Sequence, residues 1–460
     1  MAEKNQELME KIVSLCKRRG FIFPGSEIYG GLAGTFDYGP LGSILKKNIS
    51  DSWIQTFVYD VENTYLVDAA ILMNQRVWQA TGHVDSFIDP LVDDVVTKKR
   101  YRADHLLEEN GIDANVMTVE EMSATIAEKK IKSPDGNPLG PVRKFNMMLE
   151  TKVGAMEDSS AISYLRPETA QGIFVNYKNV IDSMNPKLPF AIAQVGKAFR
   201  NEITPRDFIF RVRELEQMEI EYFFNPEEAW EPLFEMWLEK QKKWLNSIGI
   251  PSEKLHAYEH PDTARAFYSK KTVDFEFEFP FGIKELTGLA HRTDYDLSKH
   301  AEWSGQKLTY FDEEKKVHIV PHVLEPTVGL DRSVLAVLSS AYTEDELGGE
   351  TRSFLKFSPK IAPVLVAVSP LLKNKPELVA KAREVFSELK KKFGRVVFDD
   401  NGNIGKRYRR QDEIGTPFCV VIDFETVEQG TGVTIRDRDT GEQKRMQISE
   451  LVTYIEEKVS

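Results

Sequence analysis

Apolar residues at Leu8, Ile12 and Leu15 recur at helical spacing and stop before Gly20, which predicts an opening helix over residues 6–19. A second stripe, Leu41, Leu45, Ile49, Trp53 and Phe57, follows Pro40, a residue suited to the first turn of a helix, and predicts a helix down to about Val58. That stripe carries too much apolar surface to face water alone. A β-branched and aromatic run predicts a strand over 61–67. Hydrophobicity then drops over about 102–144, which reads as an insertion holding a helix with a capping box, Thr118 to Glu121, and a turn-rich exit at 133–138.

From 145 to about 340 the pattern predicts strands over 190–195, 215–224, 273–279 and 317–323, broken by short helices and closed by a helix over 331–340. Sequential strands with little βαβ alternation favour a mostly antiparallel sheet and an α+β fold class. The last hundred residues change period. Strands over 364–368, 395–398, 418–422 and 432–436 alternate with helices over 376–392 and 449–458, the first stopped by Gly394, and with a basic helical turn over 405–414. The expected division is a catalytic domain over 1–350, containing the insertion, and an α/β domain over 360–460, with a linker at about 350–359. No internal repeat is visible.

Composition narrows the class of protein. A chain of 460 residues, 41% hydrophobic and 29% charged, fits a soluble globular protein of more than one domain. No apolar run approaches a bilayer span, and the acidic start does not resemble a signal or transit peptide, so a cytoplasmic protein without membrane contact is expected. The net charge of −12 argues against a diffuse basic coat for nucleic acid. Residues 361–460 hold 17 Lys+Arg against 16 Asp+Glu, which leaves −13 on the rest and makes the end comparatively basic. Cys16 and Cys419 are too far apart for a metal knuckle and read as reduced structural thiols. The glycine-rich turn over 29–34 lacks the Gly-Lys-Ser/Thr end of a phosphate loop.

The chemistry concentrates at 199–219, where arginines and carboxylates crowd two strands and a loop containing Pro205. Charge alone would fit a solvated hairpin. The rings of Phe199 and Phe210 beside those charges suit a nucleotide better, since a guanidinium fork grips phosphate and a ring stacks on a base. Phe199-Arg200-Asn201-Glu202 followed by a loop and a returning strand resembles motif 2 of class II aminoacyl-tRNA synthetases. Arg200-Asn201-Glu202, Thr204-Pro205-Arg206-Asp207-Phe208 and Glu216-Gln217-Met218-Glu219 together are similar to the glycyl-tRNA synthetase family.

The likeness runs nearly the whole length. Residues 23–31 and 37–42 resemble the family's opening and motif 1, and 101–104, 165–172 and 285–288 resemble further blocks. Residues 325–332 resemble motif 3, and 405–417 resemble the family's anticodon-binding domain.

The resemblance implies a glycine–tRNA ligase that uses ATP and Mg2+. Arg200 would hold the α-phosphate and the glycine carboxylate, Glu202 the adenine amino group, Phe210 the ring, and Arg332 the γ-phosphate. Asn201, Arg211, Val212, Arg213, Glu214 and Leu215 would line the nucleotide from motif 2. Leu286 would join them from its own block, and Gly329, Leu330 and Asp331 from motif 3. Glu285 would ligate Mg2+, a hard cation that prefers oxygen. Glu168, Glu219 and Glu325 would surround the glycine ammonium. Arg100, Glu216, Gln217, Met218, Pro321, His322, Val323, Leu324 and Thr327 would complete that pocket together with Leu215. The tRNA would meet Arg206, Lys406, Arg407, Arg409 and Arg410.

A homodimer is implied, with the helix after Pro40 in the interface, and tRNA(Gly) and glycine are the implied partners. Two departures stand out. Thr327 replaces the family's usual Ser, and the cysteines that many relatives carry after the block at 89–96 are absent, so no zinc is expected. A threonine, proline or histidine synthetase of the same subgroup, or a non-catalytic nucleic-acid-binding paralogue, are the alternatives. Zinc ligands would favour the threonine enzyme, and loss of Arg200 or Arg332 the paralogue.

Overall fold

The computed structural model describes residues 2–114, 117–155, 161–263, 265–266 and 268–459. A seven-stranded sheet forms the centre: β1 (Thr64–Leu66), β2 (Phe190–Phe199), β3 (Glu214–Phe224), β4 (Leu255–Glu259), β5 (Lys271–Phe279), β6 (Gly282–Thr293) and β7 (His322–Gly329). Their order is β4-β5-β6-β7-β3-β2-β1, and every neighbouring pair is antiparallel except β1 with β2. The antiparallel sheet of an α+β fold is therefore present.

Strand alternation assigns the two faces different work. On β3, Met218, Ile220, Tyr222 and Phe224 enter the main apolar core, while Gln217, Glu219 and Glu221 line the opposite face. Helices Pro40–Ile54, Trp230–Ser247 and Leu330–Ala341 pack on the first face through Leu45, Trp53, Trp237, Trp244, Val334 and Leu338. Helix Ala170–Met184 covers part of the other face with Ile173, Phe174 and Tyr177.

Several elements differ from the sequence expectation. The opening helix is Ala2–Arg19, longer than the apolar stripe alone defines. The helix after Pro40 runs to Ile54 and ends in a π-helical turn, Gln55–Tyr59. Its stripe, Leu45, Ile49, Trp53 and Phe57, is buried in the chain's own core, so it needs no partner subunit to leave water. The strand expected over 317–323 is two strands. Val317–Ile319 pairs with Tyr310–Asp312 in a separate hairpin, and β7 begins only after Pro321, which has no N–H for a ladder. Strand β6 was not legible at all. It carries Lys284, Glu285 and a glycine at 288 in place of alternation, and forms because β5 and β7 hydrogen-bond to both its edges.

The insertion has a core of its own. Strands Ile88–Asp93, Arg100–Arg102 and Arg143–Asn146 form a small sheet, and helices Ala103–Glu109 and Val119–Glu128 pack Leu107, Met122 and Ile126 onto Val92. The capping box forms: Glu121 N–H donates to Thr118 Oγ1 at 3.2 Å, and Thr118 N–H to Glu121 Oε2 at 2.7 Å.

In the terminal part, β8 (Val366–Pro370), β9 (Val396–Phe398), β10 (Phe418–Ile422), β11 (Val433–Asp437) and β12 (Gln443–Met446) lie in the order β9-β8-β10-β11-β12. The pairs around β8 are parallel and the rest antiparallel. Helices Pro376–Phe393 and Ile448–Val459 close its apolar core.

The stretch 350–359, expected as a linker, contains strand Glu350–Leu355, which pairs with Tyr342–Leu347. Arg352 on that strand donates to Asp412 at 2.9 Å, and Arg436 holds the same carboxylate through two bonds of 2.7 and 2.9 Å. Arg438 reaches the carbonyls of Phe357 and Gly415. Glu413 pairs with Arg18 and Arg19 of the opening helix. Both cysteines are free and buried, and burial pushes each thiol up to about 12. Among the described residues no helix is long and apolar enough to cross a membrane.

Candidate active site

Strands β3, β6 and β7 frame a cleft lined by charged, polar and aromatic side chains. Arg200, Glu202, Phe210, Arg211, Val212, Leu215, Glu216 and Gln217 enter it from β3 and the connection that precedes it. Glu285 and Leu286 enter from β6, and Thr327, Gly329, Asp331 and Arg332 from β7 and the helix after it. The guanidinium of Arg332 lies 4.4 Å from the Phe210 ring centroid and 3.2 Å from Glu285 Oε1. Arg332 beside it holds the exposed Glu285 carboxyl below its ordinary range. Arg200 is steadied by a 3.1 Å bond from Nε to the Pro167 carbonyl.

The loop between β2 and β3 turns sharply, with Asp207 and Phe208 at φ 59° and 57°, and leaves Arg206 exposed at its tip. The glycine-rich turn docks on this loop. A Cβ on Gly34 would come within 2.6 Å of Pro205 Cγ, so only glycine fits there. Arg213, expected against the nucleotide, donates instead to the carbonyls of Glu202 and Ala33 and pins the two loops together. Glu214 is likewise turned away, 2.9 Å from Lys197.

Asp331 sits in the first turn of helix Leu330–Ala341, where a negative charge is favoured. It accepts from Tyr38 Oη at 2.6 Å, Lys46 Nζ at 3.0 Å and the Glu216 N–H at 2.7 Å. Lys46 also pairs with Glu216 at 2.8 Å. This carboxylate joins the helix after Pro40, β3 and the Arg332 helix at one point.

Deeper along β3 the lining turns acidic. Glu219 is buried and accepts from the Thr169 hydroxyl and, at 3.0 Å, from Thr327 Oγ1. Glu168 accepts from Gln171 Nε2 at 3.1 Å and lies 3.3 Å from His83 Nε2. Burial opposes its ionisation, yet the His83 ring and Arg292 hold it well below the usual carboxylate range. Glu325 accepts from Arg292 Nη1 at 2.7 Å, and Arg292 also grips Asp296 through bonds of 2.8 and 2.9 Å. Burial and the neighbouring carboxylates Glu219 and Glu168 push Glu325 up to about 8 against the pull of Arg292. Burial and Glu168 raise Glu219 as well.

Other residues expected in the glycine pocket lie elsewhere. Arg100 is exposed on the insertion sheet with Asp93 3.6 Å away, because its strand faces outward there. His322 meets Phe224 edge to face and lies tilted against His291 at the far start of β7, next to buried Pro321. Val323, Leu324, Met218 and Leu330 are core residues. Asn201 donates its N–H to the Met147 carbonyl, tying the motif loop to the insertion's exit. In the terminal part, Arg407 is buried and its guanidinium serves the carbonyls of Gly402, Pro370 and Asp400. Arg410 is bound to Asp399 and Arg409 to Glu350, which leaves Lys406 as the exposed member of the set.

Arg292, Asp296, His83 and Glu221 were missed from sequence. Glu221 alone carried a usable signal: it stands two residues after Glu219 on a strand, hence on the same face.

Arginines aimed into a cleft on an antiparallel sheet, with a terminal α/β unit attached, define the class II synthetase architecture. The tRNA synthetase class II core domain model (G, H, P, S and T) matches residues 155–341, and the anticodon binding domain model matches 365–458. The chain is 49% identical to a glycine–tRNA ligase of Bacillus cereus, covering 98% of this chain and 99% of that one. It is 50% identical to the ligase of Caldanaerobacter subterraneus subsp. tengcongensis, with 98% of each chain covered. Against the ligase of Thermus thermophilus identity is 46%, over 98% of this chain and 99% of that one. The chain belongs to the glycine–tRNA ligase family.

Proposed function

We propose that the protein activates glycine with ATP, releasing pyrophosphate, and transfers the glycyl group to the 3′ end of tRNA(Gly). The observation that carries this reading is that Leu215, Gln217 and Glu219 alternate along one face of β3, and that Thr327, which lines the arginine cleft, donates to Glu219 of the acidic cluster. A ligand with a carboxylate at one end and an ammonium at the other fits between them. ATP–pyrophosphate exchange with each of the twenty amino acids tests it. Exchange driven by an amino acid other than glycine sinks the specificity.

In the reaction, a glycine carboxylate oxygen attacks the α-phosphorus, the bond to the bridging oxygen breaks, and pyrophosphate leaves. Arg200 orients both partners and offsets the charge that builds on the α-phosphate, while Arg332 holds the γ-phosphate. Phe210 stacks on adenine and Glu202 accepts from its amino group. Glu285 offers an ionised oxygen donor at the cleft, which suits Mg2+, and that ion when bound neutralises phosphate charge. Glu168, Glu219 and Glu325 receive the ammonium, and Thr327 narrows the pocket. Side chains larger than hydrogen are excluded by overpacking.

Glu219→Gln is expected to raise KM for glycine by roughly 10- to 100-fold, the weight of a charge-assisted hydrogen bond, with KM for ATP nearly unchanged. Steady-state exchange kinetics read this, and equal changes in both constants would remove Glu219 from the ammonium site.

The proposed division of labour gives adenylate chemistry to residues 1–350 and tRNA placement to 360–460. Arg206 would meet the acceptor end and Lys406 the anticodon arm, with Arg409 and Arg410 free to do so only by leaving Glu350 and Asp399. Lys406→Glu should raise KM for tRNA several-fold and flatten its salt dependence by about one unit of slope. An unchanged salt slope would place the RNA elsewhere.

A cytoplasmic homodimer completes the proposal. Apolar side chains stand exposed near motif 1 and the edge strand β1: Ile28, Tyr29, Ile44, Tyr59 and Leu66. Sedimentation at micromolar protein tests this, and a monomer would refute it.

A further inference from the structure

Glu221 is fully buried, and among the described residues neither of its carboxyl oxygens has a hydrogen-bond partner. The β3–β7 register pairs Glu219 with Thr327 and Tyr222 with Leu324, which sets Glu221 against Glu325 on the acidic face. An unpaired buried carboxylate costs several kcal/mol, so a group placed like this needs either a cation or a proton.

The surroundings supply too few cations. Glu325 from β7, Glu219 from its own strand, and Asp296 from helix Tyr295–Ser304 face Glu221, with Arg292 at the end of β6. Glu168 and Tyr268 add to the same field around Glu325 and Arg292. Arg292 is already committed to Asp296 and Glu325. His300 is held neutral by burial and His83 is spent on Glu168. Five carboxyl groups therefore converge near two guanidiniums, Arg292 and, beside Glu219, Arg166, whose hydrogen bonds go to the carbonyls of Lys197 and Ala69. They cannot all be ionised together.

We infer that the Glu221–Glu325 pair holds two protons in the empty pocket and that the glycine ammonium displaces one of them. The inference rests on the reading that this pocket takes the ammonium. The exchange balances in charge: glycine brings one positive charge in with its three N–H protons intact, and one carboxyl O–H bond breaks, its proton passing to solvent. Glu325 is the member that ionises, since it alone has Arg292 as a partner and retains slight exposure. Glu221 stays a neutral acid behind it, able to turn its O–H toward the newly formed Glu325 carboxylate. The two titrate as one unit.

Calorimetric titration of glycine into the whole enzyme, without ATP, in phosphate and in Tris at equal pH counts the protons released. Because Glu325 titrates at about 8 in the empty pocket, it is protonated below that pH and already ionised above it. Release should approach one proton per glycine on the acid side of that value and decline as pH rises past it. Glu221→Gln/Glu325→Gln should bind glycine more weakly and release none, whereas Glu219→Gln, which removes one of the charges that raise Glu325, should weaken binding and shift the release to lower pH without abolishing it.

Saturable glycine binding with identical heats in the two buffers would overturn the inference while sparing the pocket assignment. So would full release by the double variant. Should that variant fail to fold, the wild-type profile decides: release that does not decline between pH 7 and 9 has another source and overturns the inference. Unaltered glycine affinity in Glu219→Gln would instead overturn the pocket assignment itself.

Discussion

Arg200→Ala is expected to depress ATP–pyrophosphate exchange by at least about 3 kcal/mol in barrier, a hundredfold or more, with the fold intact. The size follows from what the side chain faces. Arg200 projects into the cleft and, among the described residues, its side chain donates to the Pro167 carbonyl alone, so most of its donors remain for the ligand. An alanine leaves the α-phosphate charge without its fork, and water cannot replace a fixed guanidinium at the same cost. Arg200→Lys should recover little, since a point charge does not reproduce the planar geometry. Exchange at near wild-type rate in the alanine variant would remove Arg200 from the reaction centre.

Asp412→Ala should cost about 3–5 kcal/mol of stability, because it leaves buried guanidiniums without their carboxylate. Arg436 loses both of its ionic bonds, whereas Arg352 keeps Asp345. The loss falls where the terminal part meets strand Glu350–Leu355, so urea unfolding followed by circular dichroism should show an early transition. In the same variant tRNA charging should fall while pyrophosphate exchange persists below that transition. An unchanged midpoint would mean that apolar contacts alone hold the terminal part in place.

The parts of the fold that were legible in sequence are those governed by local periodicity. Leu41, Leu45, Ile49, Trp53 and Phe57 announce a helix whatever surrounds it. β6 announces nothing, because its strand character comes from neighbours that the sequence brings in from far away. The same divide runs through the site. The resemblance marked Arg200, Glu219 and Glu325 as chemistry-bearing; Arg200 lines the cleft, while Glu219 and Glu325 are buried beyond Thr327. It could not show that the charge of Arg407 is turned inward to carbonyl oxygens, since charge is written in sequence and burial is not. Arg292 stayed hidden for the converse reason: its role depends on partners at positions 296 and 325, which only the closed sheet brings together.

The bracket at Asp331 gives the nucleotide cleft a mechanical dependence on the far side of the sheet. One carboxylate receives Lys46 and Tyr38 from the motif 1 region, and the next residue along the helix is Arg332. Any shift of the helix Pro40–Ile54 therefore pulls on the first turn of the helix that carries Arg332. If a second subunit seats that region, dilution to monomers would slacken the Arg332 helix before anything unfolds. Specific activity would then decay with protein concentration along the dissociation curve, so a catalytic assay would double as a gauge of assembly.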